Sequence, residues 1–176
     1  ATWTAQGKYG AALSFNGSSR VTIPASNSLD LTTGMTLEAW VYPTATPTGW
    51  STAVMEQQSG EFVYALYAGA TNKRPNAYIY TNDEQGFEGP AALPLNTWSH
   101  LAATYDGAII RLYINGTQVA SQSVSGSMVK SNSILTIGGN TVWGEYFRGL
   151  IDEVRIYNRS LSPSEILSDL ATPIGG

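Results

Sequence analysis

Residues 97–122 constrain the fold most. Alternating stretches at 97–105, 109–114 and 117–122 are separated by Asp106-Gly107 and Asn115-Gly116. Both dipeptides suit the positive φ angles that the central positions of a type I′ turn require. The spacing predicts three antiparallel strands in a meander. Shorter alternating segments recur at 11–15, 20–23, 36–42, 62–68, 76–80, 135–137 and 146–157. About ten to twelve such strands indicate an all-β sandwich or barrel. Helical signals appear only near the end. There, Ser162-Pro163-Ser164-Glu165 reads as a capping box with proline at the first helical position. Ile166, Leu167 and Leu170 give that helix one apolar side.

A chain of 176 residues is long enough to bury a sizeable core. No internal repeat or domain boundary is visible inside 5–172. The reading is one domain over 1–172, with 173–176 as the start of a linker or tail. Charged residues make up 12% of the chain, about half of the ~25% usual for globular proteins. Low charge with abundant Gly, Ser, Thr, Asn and Tyr points to a secreted or cell-surface β-protein. Nine basic and thirteen acidic side chains give a net charge of −4. That argues against nucleic acid and anionic membrane as partners, because both call for a cationic surface. The absence of cysteine excludes disulfides and thiolate chemistry. No apolar run approaches the ~18 residues of a membrane span.

The last alternating segment contains an oddity. Leu150, Asp152, Val154 and Ile156 fall on one face by the two-residue period of a strand. A carboxylate set into an aliphatic face must be paired, hydrogen-bonded or metal-bound. Glu153, on the other face, is expected to meet solvent and Arg155.

Four segments in order resemble the laminin-G-like jelly-roll domains of the concanavalin A-like lectin/glucanase superfamily. They are Ala12-Leu13-Ser14-Phe15-Asn16-Gly17 with Val21-Thr22-Ile23, and Met35-Thr36-Leu37-Glu38-Ala39-Trp40-Val41. The third runs from Asn96-Thr97-Trp98 through Asp106-Gly107 to Asn115-Gly116. The fourth is Gly149-Leu150-Ile151-Asp152-Glu153-Val154-Arg155-Ile156-Tyr157 with Leu161-Ser162 and Glu165-Ile166. The stretch 49–95 matches nothing specific, and there family members differ in ligand. The resemblance implies two antiparallel sheets of five to seven strands, packed as a jelly-roll sandwich. It also implies a structural calcium, held between the loop after the first strand and the acidic residue of the last. Carried over, the ligands are the Asn16 side chain, the Gly17 carbonyl and the Asp152 carboxylate. The family loop often has Asp where this chain has Asn16, which removes one charge. The alternative is that Asp152 accepts hydrogen bonds from the Asn16 turn without metal.

Aromatic residues supply the binding candidates. Sugar rings present C–H faces that stack on aromatic side chains, while polar neighbours bond the hydroxyls. Phe15, Trp40 and Trp98 sit in the family segments and read as core. The candidates outside them are Trp50, Tyr67, Tyr78, Tyr80, Phe87, Trp143 and Tyr146, with Arg74, Asn76, Asn82, Asp83 and Glu84 as polar contacts. The loops around 43–50 and 82–95 are long, and loops on a rigid sandwich commonly carry binding. Each of these aromatics has a plain alternative as core or cross-strand packing.

Catalysis finds little support. Retaining glycosidases place two carboxylates ~5 Å apart, and a Glu, Asp, Glu series two residues apart is missing. Asp83-Glu84 and Asp152-Glu153 are adjacent, so in a strand they face opposite ways. His100 is the only histidine and reads as a structural strand residue. The sequence therefore reads as a non-catalytic, lectin-like module binding glycan or surface polysaccharide, monomeric within a larger protein. The competing reading is a protein-binding or adhesion module, which predicts a broad flat patch in place of an aromatic groove.

Overall fold

The computed structural model describes residues 1–175, so Gly176, part of the expected tail, lies outside the described residues. In chain order the strands are β1 (Thr2–Thr4), β2 (Ala12–Asn16), β3 (Val21–Ile23), β4 (Met35–Pro43), β5 (Ser51–Gln58) and β6 (Glu61–Gly69). Then come β7 (Asn76–Tyr80), β8 (Glu84–Glu88), β9 (Ser99–Tyr105), β10 (Ile109–Ile114), β11 (Thr117–Ser123), β12 (Leu135–Ile137) and β13 (Arg148–Tyr157), followed by helix α1 (Pro163–Ala171). They form two antiparallel sheets. One has seven strands, in the order β1-β2-β13-β4-β9-β10-β11, and the other six, in the order β3-β12-β5-β6-β7-β8. This is the jelly-roll sandwich that the family segments imply.

The inner faces meet in one core. Leu37, Ala39 and Val41 of β4, with Leu101, Ala103 and Tyr105 of β9, pack with Val63 and Leu66 of β6 and Ala77 and Ile79 of β7. Each larger aliphatic side chain buried there contributes about 1.5–3 kcal/mol. The opposite face of β4 is covered as well. Glu38 and Trp40 are buried, Trp40 beneath Lys8 and Tyr9, so it lies outside the inner core. Trp98 is half-buried and packs on Tyr42. Helix α1 closes the outer face through Ile166, which packs with Ala102, Tyr113 and Leu161. Its capping box is present as the sequence predicts, with Ser162 and Glu165 bonding each other's backbone N–H groups.

The meander is present. At its second turn, Asn115 and Gly116 have φ of 51° and 77°, as type I′ geometry requires. The first turn is longer: Asp106 to Ala108 link β9 to β10, and Asp106 Oδ1 accepts from the N–H groups of Ala108 and Ile109. Strand β5 carries no readable alternation because seven of its eight residues are buried. Strand β8 occupies part of the expected 82–95 loop.

The last strand corrects the sequence reading. A bulge falls between Asp152 and Arg155, with Glu153 at φ 52°. An extra residue reverses the side-chain alternation beyond it. Ile151, Val154 and Ile156 therefore face the core, and Asp152 does not share their face. Its Oδ2 accepts from the Tyr9 N–H at 3.0 Å and its Oδ1 from the Glu153 N–H at 2.9 Å. Glu153 does pair with Arg155, but its side chain is largely buried. Glu153 also accepts from the Ile174 N–H, and Arg155 donates to the Thr172 carbonyl. The start of the expected tail is thus tied to the sheet.

Candidate functional site

The outer face of the six-stranded sheet carries an open cleft of about 330 Å³. Its lining is Trp50, Phe62, Tyr67, Tyr78, Trp143, Glu61, Glu84 and Glu145. Trp50 precedes β5, Phe62 and Tyr67 lie on β6, and Tyr78 lies on β7. The Trp50 ring sits edge-on to Tyr67 and Tyr78, with centroids 4.8 Å and 5.7 Å away. Phe62 joins Tyr78 at 5.9 Å and Trp143 at 6.0 Å. Met55 and Ala65 pack beneath these rings. A second hollow, lined by Ala70, Thr71, Asn72, Asn76 and Glu88, shares Trp50 and Tyr78 with the first. The two aromatic residues thus stand between adjoining hollows on one face.

Local sequence explains this placement. Tyr78 pairs with Gly86 across β7 and β8. A Cβ at Gly86 would collide with the Tyr78 ring and the Ala77 carbonyl, so glycine leaves the ring its place. Trp143 and Glu145 come from the connection between β12 and β13, which Asn140 anchors. The buried Asn140 amide donates to Thr52 Oγ1 at 2.9 Å and Glu145 Oε2 at 2.8 Å. Its Oδ1 accepts from the Trp143 N–H at 2.9 Å. One side chain therefore fixes both residues against the cleft.

The structure brings together Trp50, Tyr67, Tyr78 and Trp143 of the seven candidates. Tyr80 belongs to the same aromatic cluster, 6.3 Å from Phe62, without lining the cleft. Phe87 packs against the main core instead, because β8 places it beside inward-facing Ala77. Tyr146 lines a separate hollow with Asn16, Gly17, Thr46 and Arg148. Of the polar candidates, Glu84 lines the cleft and Asn76 the neighbouring hollow. Arg74 is paired with Glu88, and Asn82 and Asp83 are exposed. Phe62, Glu61 and Glu145 were missed. Val63 and Tyr64 both face the core while Phe62 and Ala65 face out. That break in β6 hides the shared face of Phe62 and Tyr67 from a strict alternation.

Two of the three carboxylates are held above their usual range. Burial, then the neighbouring Glu61 and Asp83 charges, push Glu84 above the usual carboxylate range. Burial likewise raises Glu145, against hydrogen bonds from Asn140 and Tyr67 that pull it down.

The calcium ligand set is not assembled. Asn16 pairs with Arg148 in the β2–β13 ladder, and Asp152 lies four residues further along β13. At ~3.3 Å per residue the two are roughly 13 Å apart along the sheet. Each is also engaged locally, Asn16 Oδ1 by the N–H and hydroxyl of Ser18 and Asp152 by the two N–H groups given above. Asn16, Gly17 and Asp152 therefore do not fit one calcium shell. Among the described residues no group of three or more His, Cys, Asp or Glu side chains is arranged to hold a metal.

Two other acids and His100 make stability depend on pH. Burial is the main cause that raises Glu38 and Glu56 from 4.5 to about 8, and it lowers His100 from 6.5 to about 4. The folded chain keeps two protons that the unfolded chain releases above pH 4.5, so stability declines as pH rises toward 8. Below pH 6.5 the unfolded chain protonates His100 while the fold resists, so that contribution declines as pH falls toward 4. Between pH 4.5 and 6.5 two carboxyls outweigh one imidazole, so stability already declines with rising pH across that span, and these three groups place the optimum near its lower end, roughly pH 4. The expected result is a higher Tm near pH 5 than near pH 8.5, with a shallower decline for Glu38→Gln. An equal Tm at both values would contradict it.

The comparisons with known proteins agree with the architecture. The laminin G 3 family model, described as concanavalin A-like lectin/glucanases superfamily, matches residues 15–167. Domain 4 of AbnA, a GH43 extracellular arabinanase from Geobacillus stearothermophilus, solved in complex with arabinotriose, superposes with a TM-score of 0.80. It is 26% identical over 97% of this chain and 80% of its own. The binding domain of Paraclostridial Mosquitocidal Protein 1 gives a TM-score of 0.75 at 15% identity, over 96% of this chain and 45% of its own, a likeness of fold alone. Pappalysin-1 of Mus musculus and of Homo sapiens is 35% and 38% identical over 80 residues, or 43% of this chain. That match spans about 5% of the length of these curated relatives. Among the described residues no helix is long and apolar enough to cross a membrane.

Proposed function

The chain belongs to the concanavalin A-like lectin/glucanase superfamily, and from that membership and its cleft we infer a non-catalytic carbohydrate-binding module of an extracellular multidomain protein. The observation that carries this reading is the convergence of Trp50, Phe62, Tyr67, Tyr78 and Trp143 on one open cleft. Aromatic faces of this kind stack against the C–H faces of sugar rings, and flanking polar groups orient the hydroxyls. The adjoining hollow beyond Trp50 and Tyr78 suits a chain of sugar units better than a single one. Support comes from the arabinanase domain, a structural relative at 26% identity whose structure holds arabinotriose. The extracellular setting rests on the same relative. An adhesive role would call for a broad flat surface, and an aromatic-lined cleft favours the glycan.

A glycan array probed with the domain tests this directly. Binding to oligosaccharides of two or more units is expected. No binding to any glycan would sink the reading, and release of reducing ends from a bound oligosaccharide would replace it by a hydrolytic one.

A further inference from the structure

The charge lining the cleft is one-sided. The charged members of the cleft are Glu61, Glu84 and Glu145, and among the described residues no Lys, Arg or His lines it. No Asn, Gln, Ser or Thr lines it either. Ionised carboxylates accept hydrogen bonds and donate none. Glu145 is already engaged by Asn140. Glu61 Oε1 is buried from solvent without a hydrogen-bond partner. The charged groups of the cleft are therefore all negative, and its remaining polar groups are the indole N–H groups of Trp50 and Trp143 and the hydroxyls of Tyr67 and Tyr78.

A neutral sugar hydroxyl can donate one hydrogen bond to such a wall but brings no charge to match it. An ammonium group carries three donors and no acceptor. It is also attracted to the faces of Trp and Tyr rings when it lies within about 6 Å of them. Five rings and three carboxylates around one opening meet both demands. Burial and, after it, repulsion from Glu61 and Asp83 raise Glu84, and a bound positive charge offsets the repulsive part.

We propose that the cleft selects a sugar carrying a free, protonated amine, an amino sugar within an oligosaccharide, and disfavours sugars bearing carboxylates. The proposal rests on the carbohydrate-binding reading and narrows it to a charge class. Glu61 and Glu84 receive the ammonium, while Trp50 and Tyr78 stack on the ring and its neighbours. Asn140 acts as a positioning residue, through Trp143 and Glu145.

Calorimetry at pH 6 with matched oligomers of glucosamine, N-acetylglucosamine, glucose and glucuronate tests it. The glucosamine oligomer is expected to bind about tenfold more tightly than its acetylated and neutral counterparts. That advantage should shrink as salt is raised, because exposed charges are screened. In a Glu61→Gln/Glu84→Gln variant the ratio of glucosamine to glucose affinity should fall toward one. Equal affinity of the wild-type chain for charged and neutral oligomers overturns the proposal while leaving the carbohydrate reading standing. Failure of every oligomer to bind overturns the proposal, and together with a blank glycan array it overturns both. So does capture of a trimethyllysine peptide with no sugar bound, since the cleft would then serve a protein. The wild-type ligand series decides the question even if the double variant folds poorly.

Discussion

A Trp50→Ala variant is expected to lose about 30-fold or more in oligosaccharide affinity while still unfolding in one cooperative transition. The size follows from Trp50's position between the two hollows of the outer face. Its ring touches both Tyr67 and Tyr78, so truncation removes a stacking surface and loosens the rings beside it. Aromatic anchors in such positions are worth about 2 kcal/mol or more, and each 1.4 kcal/mol is tenfold in Kd. Trp50 is only half-buried and lies outside the main core, so the fold should survive its loss. Trp98→Ala is the control. Trp98 packs on Tyr42 of β4 in the other sheet, and its truncation should leave affinity unchanged. Calorimetric titration with thermal melts of the two variants checks this. Wild-type affinity in Trp50→Ala would remove the cleft from consideration.

Gly149→Ala should be the most damaging small substitution for the fold. Gly149 lies in β13 opposite Pro43 of β4, with φ of 145°. A Cβ there would collide with the Tyr42 carbonyl oxygen and sit 3.0 Å from the Phe147 ring. No rotamer change relieves a clash with backbone, so the two strands must part. Overpacking together with an unsuitable backbone angle costs about 3 kcal/mol or more. For a chain of this size that lowers Tm by roughly 6–12 °C. Gly144 provides the contrast. It also has positive φ, 73°, but a Cβ there meets nothing within 4 Å, so Gly144→Ala should cost only about 1–2 kcal/mol. Circular-dichroism melts of both variants separate steric from conformational cost. A Tm of Gly149→Ala equal to that of Gly144→Ala would reject the steric account.

Local signals reached some elements and not others. Asn115-Gly116 and the Ser162 capping box are legible because a turn and a helix start depend on neighbours in sequence. The carboxylate face of the last strand was misjudged because the bulge after Asp152 shifts the period, and nothing in 150–156 announces it. The same effect sorted the aromatics. Tyr78 and Tyr67 were identifiable from composition, but Phe87 turned inward and Tyr146 went to another hollow through strand register. Trp143 and Glu145 reach the cleft only because Asn140 bonds across to Thr52, 88 residues away in the chain.

The sequence by itself determined the all-β class, the meander, the capped helix and the aromatic character of the middle segment. These follow from residue type and short-range spacing, which local sterics and hydrogen bonding translate directly into backbone shape. Only the tertiary structure decided which rings face one cleft, that its polar wall is acidic, and that Asn16 and Asp152 stand apart. Those outcomes depend on strand register and bulges, where a shift of one residue turns a side chain from the core to the surface. That choice is made by the packing of the two sheets against each other.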